Sequence, residues 1–237
     1  MFWHFLIGII SSAISLFLLE YWLPKPLLKL VRYIYPDVIF KLPDPPINSK
    51  DPPMLALTID DVPTPLITHQ ILDILKKHQV KCTFFLISSF GENHREIVQR
   101  MTEEGHELGN HTHVDAPSIM MSYNDFEYSF DHCHKLMSEY QLDNRWFRPG
   151  FAYFSQRMID HIKDYDYNLV LGDSYPHDPY VRFPKINELY LRWKIEPGSI
   201  IVLHDRPWTP PLLDSLLPKL KAEGYKFVTL SEGFNKS

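Results

Sequence analysis

Residues 54–61 read Met-Leu-Ala-Leu-Thr-Ile-Asp-Asp, and this stretch decides the fold that we expect for the chain. The apolar run up to Ile59 has the length and composition of a strand that is buried on both faces. Asp60 and Asp61 follow at its carboxyl end, which is the edge where α/β folds place their chemistry. A pair of adjacent carboxylates there suits a metal ligand beside a general base.

Strand-like and helix-like segments alternate along the rest of the chain. Seven strands that alternate with helices predict an α/β fold with a parallel sheet, either open or closed into a barrel. The predicted strands are residues 54–59, 81–86, 107–110, 146–148, 168–172, 199–204 and 226–229, and the predicted helices are residues 68–79, 93–104, 124–140, 155–165, 185–193 and 211–223.

Composition excludes some classes of function. The net charge of -5 and the lack of a basic stripe give no surface for nucleic acid. Cys82 and Cys133 fall in a predicted strand and a predicted helix, so we expect free thiols rather than a disulfide framework. Nothing in the composition indicates the oligomeric state.

The amino-terminal segment is predicted to be separate from the main domain. Residues 1–23 are almost wholly apolar, with Trp and Tyr near both ends, and as a helix they reach about 30 Å. This favours an uncleaved single-pass membrane anchor over a signal peptide or a soluble hydrophobic helix. Residues 24–53 are predicted as a basic and then proline-rich linker, and residues 54–237 as the catalytic domain.

Ionisable side chains follow five of the predicted strands. Because the carboxyl ends of parallel strands meet at one edge, these groups are expected to converge. A single carboxylate at a strand end is often only a helix cap, but five such ends indicate a functional site. The segments are Asp60-Asp61, His111-Thr-His113-Val-Asp115, Arg148-Pro-Gly-Phe151, Tyr175-Pro-His177-Asp178 and His204-Asp205.

Four of these motifs, in this order, resemble those of the polysaccharide deacetylases. They are Leu-Thr-Ile-Asp-Asp, Gly-Asn-His-Thr-x-x-Asp, Phe-Arg-Pro-Gly and Ile-Val-Leu-His-Asp. The family is carbohydrate esterase family four, which carries the NodB homology domain, and the resemblance covers roughly residues 54–230. It implies a distorted (β/α)7-type barrel that removes acetyl groups from N-acetylated sugars with the help of a divalent metal ion.

The resemblance implies a role for each matched residue. Asp60 would be the catalytic base, Asp61 and His111 metal ligands, and His204 the general acid that protonates the leaving amine. Arg148 would orient Asp60 through a charge-assisted hydrogen bond.

Further positions are matched to the substrate and to the general acid. The backbone N–H of Phe151 would stabilise the oxyanion, and Val202 would enclose the acetyl methyl group. Asp178 would tune the general acid, although Tyr175 stands where the family has an earlier aspartate, so Asp205 or Asp173 remains an alternative. Trp208 is either a platform for a sugar ring or a loop anchor.

One departure from the family concerns the metal site. Asp115 stands where the family has a second histidine, and on one helical turn it would lie on the same face as His111. The expected ligand set is therefore Asp61, His111 and Asp115, with His113 as the alternative third ligand. Zinc is the first choice of ion. Cobalt, manganese or iron are alternatives, because a ligand set with a second carboxylate favours zinc less strongly over other ions.

We therefore expect a membrane-anchored deacetylase that acts on N-acetylglucosamine units of chitin or chito-oligosaccharides. The side of the membrane is left open, because two arguments conflict. Basic residues after the segment place the domain in the cytosol by the positive-inside rule, whereas an enzyme that acts on wall polysaccharide needs the opposite orientation. The alternatives are a hydrolase of a small intracellular amide and a catalytically silent carbohydrate-binding domain. His132 and His134 are interpreted as a helix surface, since their spacing turns them to different faces.

Overall fold

The computed structural model describes residues 30, 32–44, 50–140 and 145–234. The chain divides into two compact units, Met1–Pro36 and Asp37–Ser237. The predicted anchor, residues 1–23, lies outside the described residues and stays a prediction. Among the helices that are described, none has both the length and the apolar character needed to cross a membrane.

Strands and helices alternate through the second unit, as the sequence predicts. The strands are β1 Val38–Ile39, β2 Met54–Val62, β3 Thr83–Leu86, β4 Glu107–Asn110, β5 Trp146–Phe147, β6 Asn168–Val170, β7 Ile200–His204 and β8 Lys226–Val228. The helices are α1 Pro65–Lys77, α2 Ser88–Asn93, α3 Arg95–Glu103, α4 Tyr123–Ser138, α5 Gln156–Lys163, α6 Pro184–Lys194, α7 Thr209–Ala222 and α8 Leu230–Gly233, and short 3-10 turns occupy Ser118–Met120 and Gly150–Ala152.

The strands form one parallel sheet in the order β1-β6-β5-β4-β3-β2-β7, with β8 beside the first part of β2. The segment after β6 hydrogen-bonds to β7, and so connects the two ends of this strand order. Ser174 N–H donates to the Ile200 carbonyl over 3.2 Å, and its own carbonyl accepts from Val202 N–H over 3.0 Å. The predicted α/β fold with a distorted barrel is thereby confirmed.

Strand β2 is buried on both of its faces, which explains its apolar sequence. Leu55, Leu57 and Ile59 belong to the large apolar core that includes residues of the surrounding helices. The alternate residue Ala56 belongs to a second, smaller core. Since side chains alternate along a strand, Asp60 continues the inward face that begins at Ala56.

Close packing inside the barrel requires a residue without a side chain on β4. A Cβ atom added at Gly109 would lie 2.6 Å from the ring of Phe85, well inside the contact distance. The ring in turn packs under the guanidinium of Arg148, 4.1 Å from ring centroid to carbon. The Phe85 ring inside the barrel therefore also supports Arg148, a residue of the predicted site.

The structure corrects two boundaries. Residues 24–53 are predicted as a linker, and within this range the structure shows β1 paired with β6 and Leu42 N–H donating to the Gly198 carbonyl over 2.9 Å. The compact unit thus begins at Asp37 rather than at Met54. A two-residue strand before a proline-rich stretch is too short for a readable pattern. The predicted helix 93–104 corresponds to α3, and a separate short helix, α2, precedes it and ends at Asn93.

Candidate active site

The predicted catalytic base and acid lie opposite each other on two neighbouring strands. Asp60 on β2 and His204 on β7 are paired in register in the parallel sheet. Paired residues of adjacent strands project their side chains from the same face, here toward the mouth of the barrel. The register therefore places a carboxylate and an imidazole side by side.

Asp60 is held by a buried arginine, as the resemblance implies. Arg148 donates from Nη1 to Oδ1 of Asp60 over 2.6 Å and to the hydroxyl of Thr58 over 2.8 Å. Its Nε–H donates to the Val170 carbonyl over 3.0 Å. Burial lowers the pKa of Arg148 and the Asp60 charge opposes this effect. The arginine thus fixes one carboxylate oxygen of Asp60, Oδ1, and the role of Asp60 as catalytic base stays a prediction.

Asp61 turns toward a different partner, because its backbone adopts a left-handed conformation with a φ of 62°. Its Oδ1 lies 3.3 Å from Nε2 of His111, and its Oδ2 accepts from Arg206 over 2.6 Å. Burial raises the pKa of Asp61, but the hydrogen bond with His111 and the charges of His204, His111 and Arg206 together hold it below its usual value. Such strained backbone at a polar cluster is typical of functional sites.

Arg206 is a residue of this cluster that the sequence analysis missed. It lies in the turn after β7 and carries a positive charge to the same carboxylate that contacts His111. A single arginine in a loop is usually solvated, so its residue type gave no reason to select it. The one available signal was its position two residues after His204. The two adjacent aspartates thus each have their own arginine.

The donors around His111 are suited to a divalent metal ion. Nδ1 of His111 lies 2.7 Å from the Arg148 carbonyl, to which it donates, so the neutral imidazole presents its Nε2 lone pair to Asp61. Two acceptors that face each other require a cation or a proton between them. Burial lowers the pKa of His111, but Asp61 and Asp60 outweigh it and raise the value overall. Asp61 and His111 therefore fit two ligands of one ion.

The third predicted ligand is not brought to this pair. Asp115 is exposed, and the segment from His111 to Asp115 is a bent loop rather than a helical turn, with a φ of 70° at Thr112. Within the described residues, Asp115 does not belong to a cluster of three possible metal ligands. One group of three His, Cys, Asp or Glu side chains has all its ligand atoms within 4.8 Å of one another in residues 30, 32–44, 50–140 and 145–234, and Asp115 is not part of that group. The helical spacing argument is therefore wrong, and the ligand role of Asp115 stays a prediction.

His204 is oriented by a buried carboxylate. Asp178 lies with Oδ1 2.9 Å from Nδ1 of His204, and its Oδ2 accepts from the backbone N–H of the same residue over 2.9 Å. Burial lowers the pKa of His204, but the Asp178 carboxylate, with Asp60 and Asp61, outweighs burial and raises the pKa to about 9. The imidazole is therefore protonated at neutral pH, and its Nε2 can serve as a proton donor.

The alternatives to Asp178 have partners elsewhere. Asp205 accepts from Thr64 N–H over 2.7 Å, and Asp173 accepts from Ile200 N–H over 3.0 Å. Tyr175, at the position where the family has an aspartate, places its ring 5.6 Å from that of His204. Of these carboxylates, Asp178 is the one that contacts His204, the predicted general acid.

Replacing Asp178 with asparagine should shift the pH profile of catalysis. A general acid must be protonated, so activity falls as the pH rises through the pKa of His204. Without the Asp178 charge that pKa drops, and the alkaline limb of kcat/KM should move to lower pH. The check is the pH dependence of acetate release in the wild type and the variant. An alkaline limb at an unchanged pH would contradict this role for Asp178.

The predicted substrate contacts occupy different parts of the rim. Phe151 is exposed and has a φ of 61° within the 3-10 turn Gly150–Ala152, and Val202 lies on β7 two residues before His204, on the same face. Trp208 donates its indole N–H to the Asp178 carbonyl over 2.9 Å, which favours the loop-anchor interpretation. The substrate roles of these three residues stay predictions.

Comparisons with known proteins agree with the predicted family and fold. A family model described as polysaccharide deacetylase matches residues 47–170. The chain is 31% identical over 194 residues to a peptidoglycan-N-acetylglucosamine deacetylase of Bacillus cereus, with 79% of this chain and 89% of the relative covered.

Two solved structures are similar in fold. One is a peptidoglycan N-acetylglucosamine deacetylase in complex with 4-naphthalen-1-yl-N-oxidanyl-benzamide, with a TM-score of 0.79, 25% identity, and coverage of 87% of this chain and 97% of that chain. The other is a mutant, with restored enzymatic activity, of a CE4 family pseudoenzyme from Bacillus anthracis, with a TM-score of 0.75, 25% identity, and coverage of 84% and 71%.

Proposed function

Because this chain belongs to the polysaccharide deacetylase family, we propose that it removes acetyl groups from N-acetylglucosamine units of chitin or chito-oligosaccharides. One observation carries the proposal. A carboxylate held by a buried arginine lies directly opposite an imidazole held by a buried carboxylate. This arrangement supplies a base and an acid on two sides of a bound amide, which is what hydrolysis of an unactivated amide requires.

The side chains divide the proton transfers between them. The free carboxylate oxygen of Asp60 takes a proton from the attacking water as its oxygen bonds to the acetyl carbon. Nε2 of His204 gives its proton to the amide nitrogen as the carbon–nitrogen bond breaks, which releases acetate and a free amine. Arg148 and Asp178 hold the two groups in register, and the N–H of Phe151 would donate to the oxyanion.

Asp61 and His111 are the residues that would hold a divalent metal ion. When bound, such an ion polarises the carbonyl and acidifies water, and zinc is our first choice for it. The ion pair between Arg206 and Asp61 adds a positive charge beside these ligands. That charge and the fixed tautomer of His111 are what the chain itself contributes to the site.

A second candidate substrate is the glycan strand of peptidoglycan. It is favoured by the B. cereus relative, whose name assigns it to peptidoglycan N-acetylglucosamine. Both candidates carry the same N-acetylglucosamine unit, so the catalytic argument is identical. The difference lies in how the rim of the barrel accepts the neighbouring sugars.

Acetate release from defined substrates tests the proposal. The full-length protein is assayed with added zinc, cobalt, manganese or iron on chito-oligosaccharides, on purified peptidoglycan and on small acetamides. Release from chito-oligosaccharides that is lost in D60N is the expected result. Release from peptidoglycan alone favours the second substrate, and release from small acetamides alone contradicts a glycan substrate. No release from any of them contradicts the proposed activity and supports a catalytically silent carbohydrate-binding domain.

A further inference from the structure

Three side chains outside the catalytic cluster meet on the outer side of the barrel. Glu92 lies in the last turn of α2, His113 in the loop after β4, and His132 in the middle of α4. One ligand atom from each lies within 4.8 Å of those of the other two. We propose that Glu92, His113 and His132 form a second transition-metal site, separate from the pair Asp61 and His111.

The contacts within this cluster leave ligand atoms facing one another. Nδ1 of His132 lies 3.3 Å from Oε1 of Glu92, and the rings of His132 and His113 have centroids 4.3 Å apart. The same Nδ1 atom is buried and has no hydrogen-bond partner of good geometry within the described residues. A buried nitrogen beside a carboxylate and a second imidazole is satisfied when one cation binds all three groups.

His113 is fixed in an orientation suited to a ligand. Its Nδ1 lies 2.9 Å from the hydroxyl of Ser88, and its backbone N–H donates to the hydroxyl of Ser129 over 2.9 Å. When Nδ1–H donates to Ser88, the lone pair for a metal is on Nε2. Hydrogen bonds of this kind to the far nitrogen are typical of metal-bound histidines, because they fix the tautomer and the ring direction.

The donor set points to a particular class of ion. Two imidazoles and one carboxylate suit zinc, nickel, copper or cobalt, whereas calcium and magnesium prefer oxygen ligands. Three protein ligands leave a further position for water. The bound ion would connect α2 and α4 to the loop that begins at His111, and so stabilise the loop that carries a catalytic-site ligand.

A comparison within α4 provides a matched control. His134 is two residues from His132 and turns to another face, where its Nδ1 lies 3.0 Å from the hydroxyl of Tyr167. H132Q removes a proposed ligand, whereas H134Q removes a histidine of the same helix that is not in the cluster. Glu92 is at the surface, so E92Q tests the same site in a variant that should fold normally.

The experiment counts zinc ions bound per chain. Full-length wild type and variants are stripped with a chelator, dialysed against free zinc and analysed for metal, with circular dichroism to verify the fold. We expect H132Q and E92Q to bind one equivalent fewer than the wild type, and H134Q to bind as many as the wild type. Equal zinc content in wild type, H132Q and E92Q overturns the proposal, and so does an equal loss in H134Q. The count requires no turnover, so it is independent of the deacetylase assay.

Discussion

Replacing Asp60 with asparagine should reduce acetate release by about 10²–10⁴-fold, the usual contribution of a general base. Asparagine keeps the oxygen that accepts from Arg148, so the hydrogen bond to the buried guanidinium survives. What is lost is the charge and the ability to take a proton from water. The measurement is kcat for acetate release on whichever glycan proves to be a substrate.

Metal content separates the roles of the two adjacent aspartates. Since Asp60 faces Arg148 and Asp61 faces His111, D60N should bind as many zinc ions as the wild type. D61N is the matched control, because it changes the neighbouring carboxylate and should lose one ion. If D60N loses an ion and D61N does not, the assignment of base and ligand is reversed.

Replacing Arg148 with methionine should lower the free energy of unfolding by about 3–5 kcal/mol, because it leaves a buried carboxylate without its partner. Arg148 is buried, with hydrogen bonds to Asp60, Thr58 and the Val170 carbonyl, and it packs over the ring of Phe85. Methionine fills part of that volume but supplies no donor. Urea unfolding, followed by circular dichroism, measures the loss.

A double-mutant cycle distinguishes lost charge pairing from lost packing. In the D60N background no carboxylate charge is stranded, so R148M should cost clearly less than it does in the wild type. The difference between the two losses is the coupling between Arg148 and Asp60. An identical loss in both backgrounds would assign the whole effect to packing and to the other hydrogen bonds.

The local sequence was sufficient for the fold class and for the edge of the sheet at which the predicted site residues lie. Strand β2 could be recognised because a strand buried on both faces is a continuous apolar run. The inward position of Asp60 then follows from the alternation of side chains. Its proximity to His204 follows from the shared edge of a parallel sheet, which collects residues that are far apart in the chain.

The sequence analysis failed where the backbone departs from regular structure. Asp115 was placed beside His111 on the assumption of a helical turn, but the loop bends through a positive φ at Thr112. Arg206 was missed because a turn arginine has no periodic signal. Short strand β1 was missed because two residues show no alternation, and its partner β6 lies far along the chain.

By itself the sequence determined the alternation of strands and helices and the edge at which ionisable groups gather. These two features depend on periodicities of two and of 3.6 residues, which are local properties of the chain. The roles of Asp60 as base and His204 as acid are predicted from the resemblance to the family and not from a periodicity. Only the tertiary structure decided which partner each carboxylate takes, and that Glu92, His113 and His132 meet. Such contacts join separate elements through loop conformations and helix packing, and no local pattern encodes those distances.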